Sequence, residues 1–154
     1  MDFQEILEEA KNDPSLLAQL DLDEIFDGVD TPSYLETTSF EEIHQRTYQV
    51  LRERIRDADQ IAEFSGKLAD YRVIDEVFEI QMGKYIRYIP LNKEEFTFGG
   101  GGVVVDIRFL DSGTQILCKN RNRFFQIKFD QHLVFQKLSF DEQLFLMVKA
   151  YLAK

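Results

Sequence analysis

The strongest constraint on the fold lies between residues 84 and 135, where runs of alternating apolar and polar residues are separated by turn signals. The four runs are residues 85–89, 103–109, 115–119 and 124–129. Alternation with a period of two is typical of strands with one buried face, and tight turns between short runs favour antiparallel pairing. In the last run Phe125, Ile127 and Phe129 share one face, which we expect to fill the core. We therefore predict an α+β protein built on a small antiparallel β-barrel of the SH3-like kind, closed by residues 134–138.

Helices are predicted on both sides of this barrel. A capping box at Ser39 and Glu42, overlapped by a second at Thr38 and Glu41, opens a long helical stretch that runs to about residue 69. Helical spacing of apolar residues predicts one helix or a kinked pair, with Gly66 as the weak point. The apolar seam is interrupted by two polar residues, which favours packing on the protein's own barrel over a coiled-coil oligomer.

Two shorter helices are predicted at the ends of the chain. Residues 2–11 place apolar side chains at helical spacing and are followed by Pro14. Ser139 and Glu142 form another capping box, and the apolar stripe that follows predicts a terminal helix. The expected domains are an acidic arm with short helices at residues 1–37, a helical segment at 38–70, and the barrel with its terminal helix at 71–154.

Composition limits the class of protein. Of 154 residues, 44% are hydrophobic, which is typical of a folded chain with one core. The single cysteine, Cys118, can form no intramolecular disulfide and no cysteine-based zinc site, so a reducing compartment is expected. The sequence shows neither a signal peptide nor an apolar run of membrane-spanning length, and we expect a soluble, intracellular protein.

Charge is divided unevenly along the chain. Residues 1–82 hold 21 Asp and Glu against 7 Lys and Arg, a net charge of −14, whereas residues 83–154 hold 7 against 11, a net charge of +4. This asymmetry permits an acidic arm folded over a basic barrel, or two surfaces that recruit partners of opposite sign. The sequence does not choose between them.

No motif predicts catalysis, a cofactor or a metal. The glycines at 99–102 precede a Val-rich strand, not the helix that a phosphate loop requires, so a hairpin irregularity is favoured. The acidic residues at 21–28 lack the ligand register of a calcium loop. His44 and His132 have no second ligand at metal-binding spacing, and Cys118 lies mid-strand as a small apolar residue. We predict that the protein is not an enzyme and binds no cofactor.

The leading functional hypothesis is docking on a partner protein through the acidic arm. Apolar anchors set among carboxylates can fit a basic-rimmed groove on such a partner, although a solvated acidic turn has the same pattern. The predicted anchors are Leu20, Leu22, Ile25, Phe26 and Val29.

The alternative hypothesis is a barrel that associates with nucleic acid, as an accessory factor in transcription or genome packaging. Residues 119–124 combine basic and aromatic side chains, a pattern that suits phosphate neutralisation and base stacking. The predicted face comprises Lys84, Arg87, Arg108, Arg121, Arg123 and Phe124. Against it, a hairpin turn with solvated charges has the same composition, and an acidic chain repels phosphates at long range.

The barrel region resembles a family of small uncharacterised proteins from large nucleocytoplasmic DNA viruses of eukaryotes. The resemblance covers about residues 68–150 and rests on residues 68–76, 83–89, 100–107, 117–120, 124–130 and 135–139. It implies a virus-encoded virion component, or a factor acting in the host-cell cytoplasm. Its implied protein partners are the viral capsid or the transcription machinery, and it supplies no catalytic residues.

Overall fold

The computed structural model describes residues 3–19, 33–91 and 100–153. These residues form an α+β structure with four α-helices, several short 3-10 helices and one six-stranded antiparallel sheet. The helices α1 to α4 are Phe3–Asn12, Phe40–Arg54, Ala58–Lys67 and Phe140–Leu152. The strands β1 to β6 are Tyr71–Ile74, Tyr85–Pro90, Gly102–Leu110, Gly113–Asn120, Arg123–Lys128 and His132–Lys137. The predicted α+β class is confirmed.

Contacts divide the chain into two compact units. The first unit comprises Met1–Gln45 and Leu138–Lys154, and the second comprises Arg46–Lys137. The boundaries predicted after residues 37 and 70 remain predictions.

The second unit contains the whole sheet, whose strand order is β1-β6-β2-β3-β4-β5. All described pairings are antiparallel, with a bulge in β3 between Val104 and Asp106. Strands β1 and β5 are the two edges, so the sheet is open where closure into a barrel was expected. Every strand nonetheless gives at least one buried side chain to a single cluster on one face. These residues are Ile74, Ile86, Val104, Ile116, Cys118, Ile127 and Val134.

The opposite face of the sheet carries the helical part of this unit. Leu51 of α2 and Phe64 of α3 are buried in a cluster with Phe135 of β6. Of the two predicted forms, one helix or a kinked pair, the structure has the kinked pair. The break falls at residues 55–57, however, and Gly66 stays helical. Asp57 causes the new start, because its carboxylate accepts a hydrogen bond from Asp59 N at 2.9 Å and caps α3.

The first unit is built around α4. Leu7 and Ala10 of α1 are buried with Leu144 and Val148. The predicted capping box at the start of α4 is confirmed, since Ser139 Oγ accepts from Glu142 N at 3.1 Å and Glu142 Oε1 accepts from Ser139 N at 2.9 Å.

The other end of α4 holds the segment before α2. Lys149 Nζ donates hydrogen bonds to the carbonyls of Leu35, Glu36 and Thr38, at 3.2, 2.5 and 2.7 Å. Three carbonyls at the end of a 3-10 helix therefore share one ammonium group, which satisfies acceptors that the helix leaves open. None of the described helices has the length and apolarity that crossing a membrane requires.

Candidate binding cleft at the β4–β5 hairpin

Strands β4 and β5 form a hairpin with a two-residue loop. The last paired residues are Asn120 and Arg123, so Arg121 and Asn122 make the turn. Arg121 has φ +56°, and it is the one non-glycine residue at positive φ in the described part of the chain. A side chain in this left-handed region costs about 1–2 kcal/mol relative to glycine, and asparagine tolerates it best. The turn therefore holds an arginine where a glycine would be less strained.

An open cleft of about 730 Å³ lies beside this turn. We call it the hairpin cleft, and its lining residues are Tyr88, Gly100, Asn120, Arg121, Asn122, Arg123, Phe124 and Phe125. The volume falls within the roughly 300–1,000 Å³ that is usual for ligand sites. The described lining residues supply three aromatic rings, two guanidinium groups and two amide side chains, with no carboxylate among them.

Coiling of the sheet brings the wall of the cleft together. The ring centroids of Tyr88 on β2 and Phe125 on β5 are 5.9 Å apart, although two strands lie between them. In a flat sheet, three interstrand steps would separate such residues by about 14 Å. The sheet therefore curves strongly towards this face, which places a ring from β2 beside the β4–β5 turn.

Two glycines make this approach possible. A Cβ on Gly102 would lie 2.9 Å from the Phe125 ring, and a Cβ on Gly101 would lie 2.5 Å from Tyr85 Oη. Asn120 Nδ2 donates a hydrogen bond of 2.6 Å to the Gly101 carbonyl, which ties the start of β3 to the hairpin. Gly101 and Gly102 thus provide space for aromatic rings, while Gly99 lies outside the described residues.

The electrostatic character of the hairpin is cationic. Residues 112–129 contain two Lys and two Arg and no Asp or Glu. Lys119 Nζ lies 5.5 Å from the ring centroid of Phe124, its cross-strand neighbour. Within the described residues, neither Arg121 nor Arg123 forms an ion pair, and both are exposed. The described part of the chain therefore leaves both guanidinium groups without a carboxylate partner.

The six residues of the predicted nucleic-acid face do not all lie together. Arg121, Arg123 and Phe124 line the hairpin cleft. Arg108 pairs with Asp106 at 3.2 Å and lies opposite Gln115, about 17 Å along β4 from the turn. The remaining two, Lys84 and Arg87, are not among the lining residues, and strand alternation points Arg87 away from the Tyr88 face.

The predicted anchors of the acidic arm lie outside the described residues. They are Leu20, Leu22, Ile25, Phe26 and Val29.

Two aromatic residues of the cleft were not predicted from the sequence. Phe125 was assigned to the core, where it does contact the buried cluster, but its ring also reaches the cleft. Tyr88 was assigned no role, because its place in the cleft depends on sheet curvature across two strands. Phe124 and Phe125 lie within three residues of the turn, and this pair was the one local signal of an aromatic wall.

The one cysteine and the two histidines are each buried or held in contacts outside the lining of the hairpin cleft. Cys118 is fully buried, and burial raises the pKa of its thiol to about 11, so the thiol stays protonated at neutral pH. His132 Nδ1 donates to the Lys128 carbonyl at 2.6 Å, and His44 stacks on Phe40 with centroids 5.9 Å apart. Among the described residues, no group of three His, Cys, Asp or Glu side chains is placed to hold a metal ion.

Comparison of the chain with models of known protein families, with curated proteins and with solved structures finds no match. The geometry of the hairpin cleft is therefore the basis for the functional argument.

Proposed function

We propose that the protein is a non-enzymatic module that binds nucleic acid through the hairpin cleft. The observation that carries the proposal is the convergence of Arg121, Arg123 and Phe124 on one open cleft. Guanidinium groups neutralise phosphates, and exposed aromatic rings stack on bases, so this set of side chains suits a nucleic-acid strand.

The distribution of charge supports this proposal despite the net charge of −10. Residues 46–137, the unit that carries the cleft, hold 15 Lys and Arg and 13 Asp and Glu, a net charge of +2. The other unit holds 3 Lys and Arg against 15 Asp and Glu, a net charge of −12. Long-range repulsion of phosphate therefore originates in the unit without the cleft, and salt of about 0.1 M screens it beyond about 10 Å.

The state of Cys118 supports the non-enzymatic part of the proposal. A thiol whose pKa is raised to about 11 by burial is a poor nucleophile at neutral pH. The ring nitrogen Nδ1 of His132 donates to a backbone carbonyl at 2.6 Å, which fixes the imidazole within the β5–β6 connection.

The first test measures salt-dependent binding. Fluorescence anisotropy with a labelled 20-nucleotide strand, titrated at several salt concentrations, should give an affinity that falls as salt rises. For single strands, each phosphate contact contributes about 0.7 to the logarithmic salt slope. We expect Arg121→Gln to weaken binding and to reduce the slope by about that amount.

The matched control for this test is Arg108→Gln. It removes the same charge from the same sheet, at the far end of β4, and from a side chain that already pairs with Asp106. We expect its affinity and salt slope to match those of the wild type. Equal losses in both variants would mean that binding follows overall charge, which contradicts the role of the cleft.

A second candidate function is docking on a partner protein through the acidic arm. The concentration of negative charge in the first unit favours it, because acidic segments with apolar anchors suit basic grooves. Partners from a viral capsid or from transcription machinery, and a location in the virion or the host-cell cytoplasm, follow from the viral resemblance and are proposed on that basis alone.

We further propose that the sheet belongs to the SH3-like class of small barrels. Two features support this assignment: all six strands contribute to one buried cluster, and Tyr88 meets Phe125 across two intervening strands. A sheet of this curvature approaches the shape of a barrel without pairing its edges.

A further inference from the structure

We infer that the ligand of the hairpin cleft is an unpaired strand, with one base stacked on Phe124 and the adjoining phosphates held by Arg121 and Arg123. This inference rests on the proposed function and specifies the form of nucleic acid that the cleft accepts. Three features of the cleft carry it: an exposed ring, a strained arginine and an aromatic wall.

The exposed ring belongs to Phe124. This side chain projects from the edge strand β5 and is 61% exposed, although it lines a cleft. Lys119 is its cross-strand neighbour, with Nζ 5.5 Å from the ring centroid, so a cation accompanies the ring. Stacking of a base on a ring of this kind contributes about 1–3 kcal/mol per base and depends little on sequence.

The strained arginine is Arg121. Strain in the backbone persists where the surrounding structure over-determines it, and it concentrates at functional sites. The strands fix the turn at residues 121 and 122, and a glycine at 121 would avoid the strain. An arginine in this position holds a guanidinium group at the rim of the cleft, two residues from a second guanidinium on Arg123.

The aromatic wall favours an unpaired strand over a duplex. Tyr88 and Phe125 stand together behind the turn, and rings stack only on bases that have left the helical stack. A duplex offers the cleft its phosphates and groove edges, and therefore uses the two arginines without the rings. The rings contribute to affinity only when bases are free.

The experiment compares three probes on the full chain by fluorescence anisotropy. They are a 12-nucleotide oligothymidylate strand, the same strand paired with oligoadenylate, and a strand of equal length and charge whose central positions are abasic. We expect the unpaired strand to bind at least about fivefold tighter than the other two, which is the lower limit of one stacked base.

Variants assign the difference to the ring. Phe124→Leu keeps an apolar side chain but removes the ring to which we assign the stacked base, so we expect this variant to lose most of the preference for the unpaired strand over the abasic strand. The control is Phe109→Leu. Phe109 is 73% exposed and lies beside the β3–β4 turn, at the end of β4 that is far from the hairpin cleft. We expect it to bind all three probes as the wild type does, with thermal melting showing that both variants are folded.

The outcomes distinguish failure of base stacking on Phe124 from failure of nucleic-acid binding as a whole. Equal binding of duplex and unpaired strand, equal binding of the abasic strand, or an unchanged preference in Phe124→Leu would overturn this inference and leave the proposed function standing. Failure of all three probes to bind at low salt would overturn the proposed function itself. Tighter binding of the duplex would assign the cleft to groove or backbone recognition.

Discussion

Arg121 combines backbone strain with the binding role that we propose for it. Its φ of +56° is a conformation that a glycine adopts without a steric penalty, yet the side chain at this point lines the hairpin cleft. Stability and binding therefore make opposite demands on the same position. Such opposition is common where a site requires a conformation or charge that the fold alone would not select.

We predict that Arg121→Gly stabilises the protein by about 0.5–1 kcal/mol while weakening nucleic-acid binding. Relief of the left-handed strain exceeds the entropy that glycine adds to the unfolded chain. Chemical denaturation monitored by circular dichroism measures the first effect, and anisotropy measures the second. Asn122→Gly is the control: its φ is not positive, so glycine there should lower stability. A lower stability of Arg121→Gly would contradict the assignment of strain.

The turn itself was predictable from the sequence, but the strained position was not. Asn120 and Asn122 both tolerate positive φ better than an arginine does, so local preference points away from Arg121. The position is decided by the register, in which Asn120 pairs with Arg123 and leaves Arg121 first in the loop. Register follows from packing across the sheet, which a local pattern does not contain.

At the scale of elements, the curvature of the sheet depends on small residues where strands meet rings. Gly102 lies on β3, and the Phe125 ring from β5 reaches over β4 to occupy the space beside it. Any Cβ at Gly102 would meet that ring at 2.9 Å and the Lys119 carbonyl at 3.1 Å. The glycine is therefore a packing requirement of the coiled sheet.

We predict that Gly102→Ala destabilises the protein by about 1–3 kcal/mol, because the added methyl overpacks the wall of the cleft. Denaturant unfolding measures the change. Gly66→Ala is a control of opposite sign: a Cβ there meets nothing within 4 Å, and alanine in a helix should stabilise by up to about 1 kcal/mol. Combining Gly102→Ala with Phe125→Leu should recover part of the loss, and no recovery would mean that the ring is not the cause.

The elements themselves were largely predictable, whereas their ends and their edges were less so. Alternation in residues 85–129 gave strands within one or two residues of those observed, and the inward face of β5 is confirmed by buried Ile127. The break in the helical pair was expected near Gly66, but a cap at Asp57 and burial of Ile55 outweigh the propensity of one glycine. Closure of the sheet depends on pairing between β1 and β5, which no local pattern reports.

At the scale of the whole molecule, the first unit contains both ends of the chain and most of the negative charge, whereas the second unit has a small net positive charge. The first unit draws on both ends of the sequence, because α1 is buried against α4 through Leu7 and Leu144. Contacts between residues more than a hundred positions apart leave no local trace in a sequence. The acidic arm was therefore predicted as separable, although part of it contributes to a core.

We predict that point variants will reveal whether the acidic arm binds a partner, whereas a truncation will not, because it also destabilises the protein. Deleting residues 1–37 also removes Leu7, which is 1% exposed, and Leu35, which is fully buried. Truncating one such leucine to alanine typically costs about 2–5 kcal/mol, so the loss of both should destabilise the first unit.

Paired replacement of Ile25 and Phe26 by serine removes two predicted anchors and leaves both buried leucines in the chain. Tagged wild type and paired variant, purified from the native source, should differ by loss of one associated protein while melting at the same temperature. Retention of every associated protein by the paired variant would exclude Ile25 and Phe26 as anchors, and a Leu7→Ala variant as stable as the wild type would contradict the core role of α1.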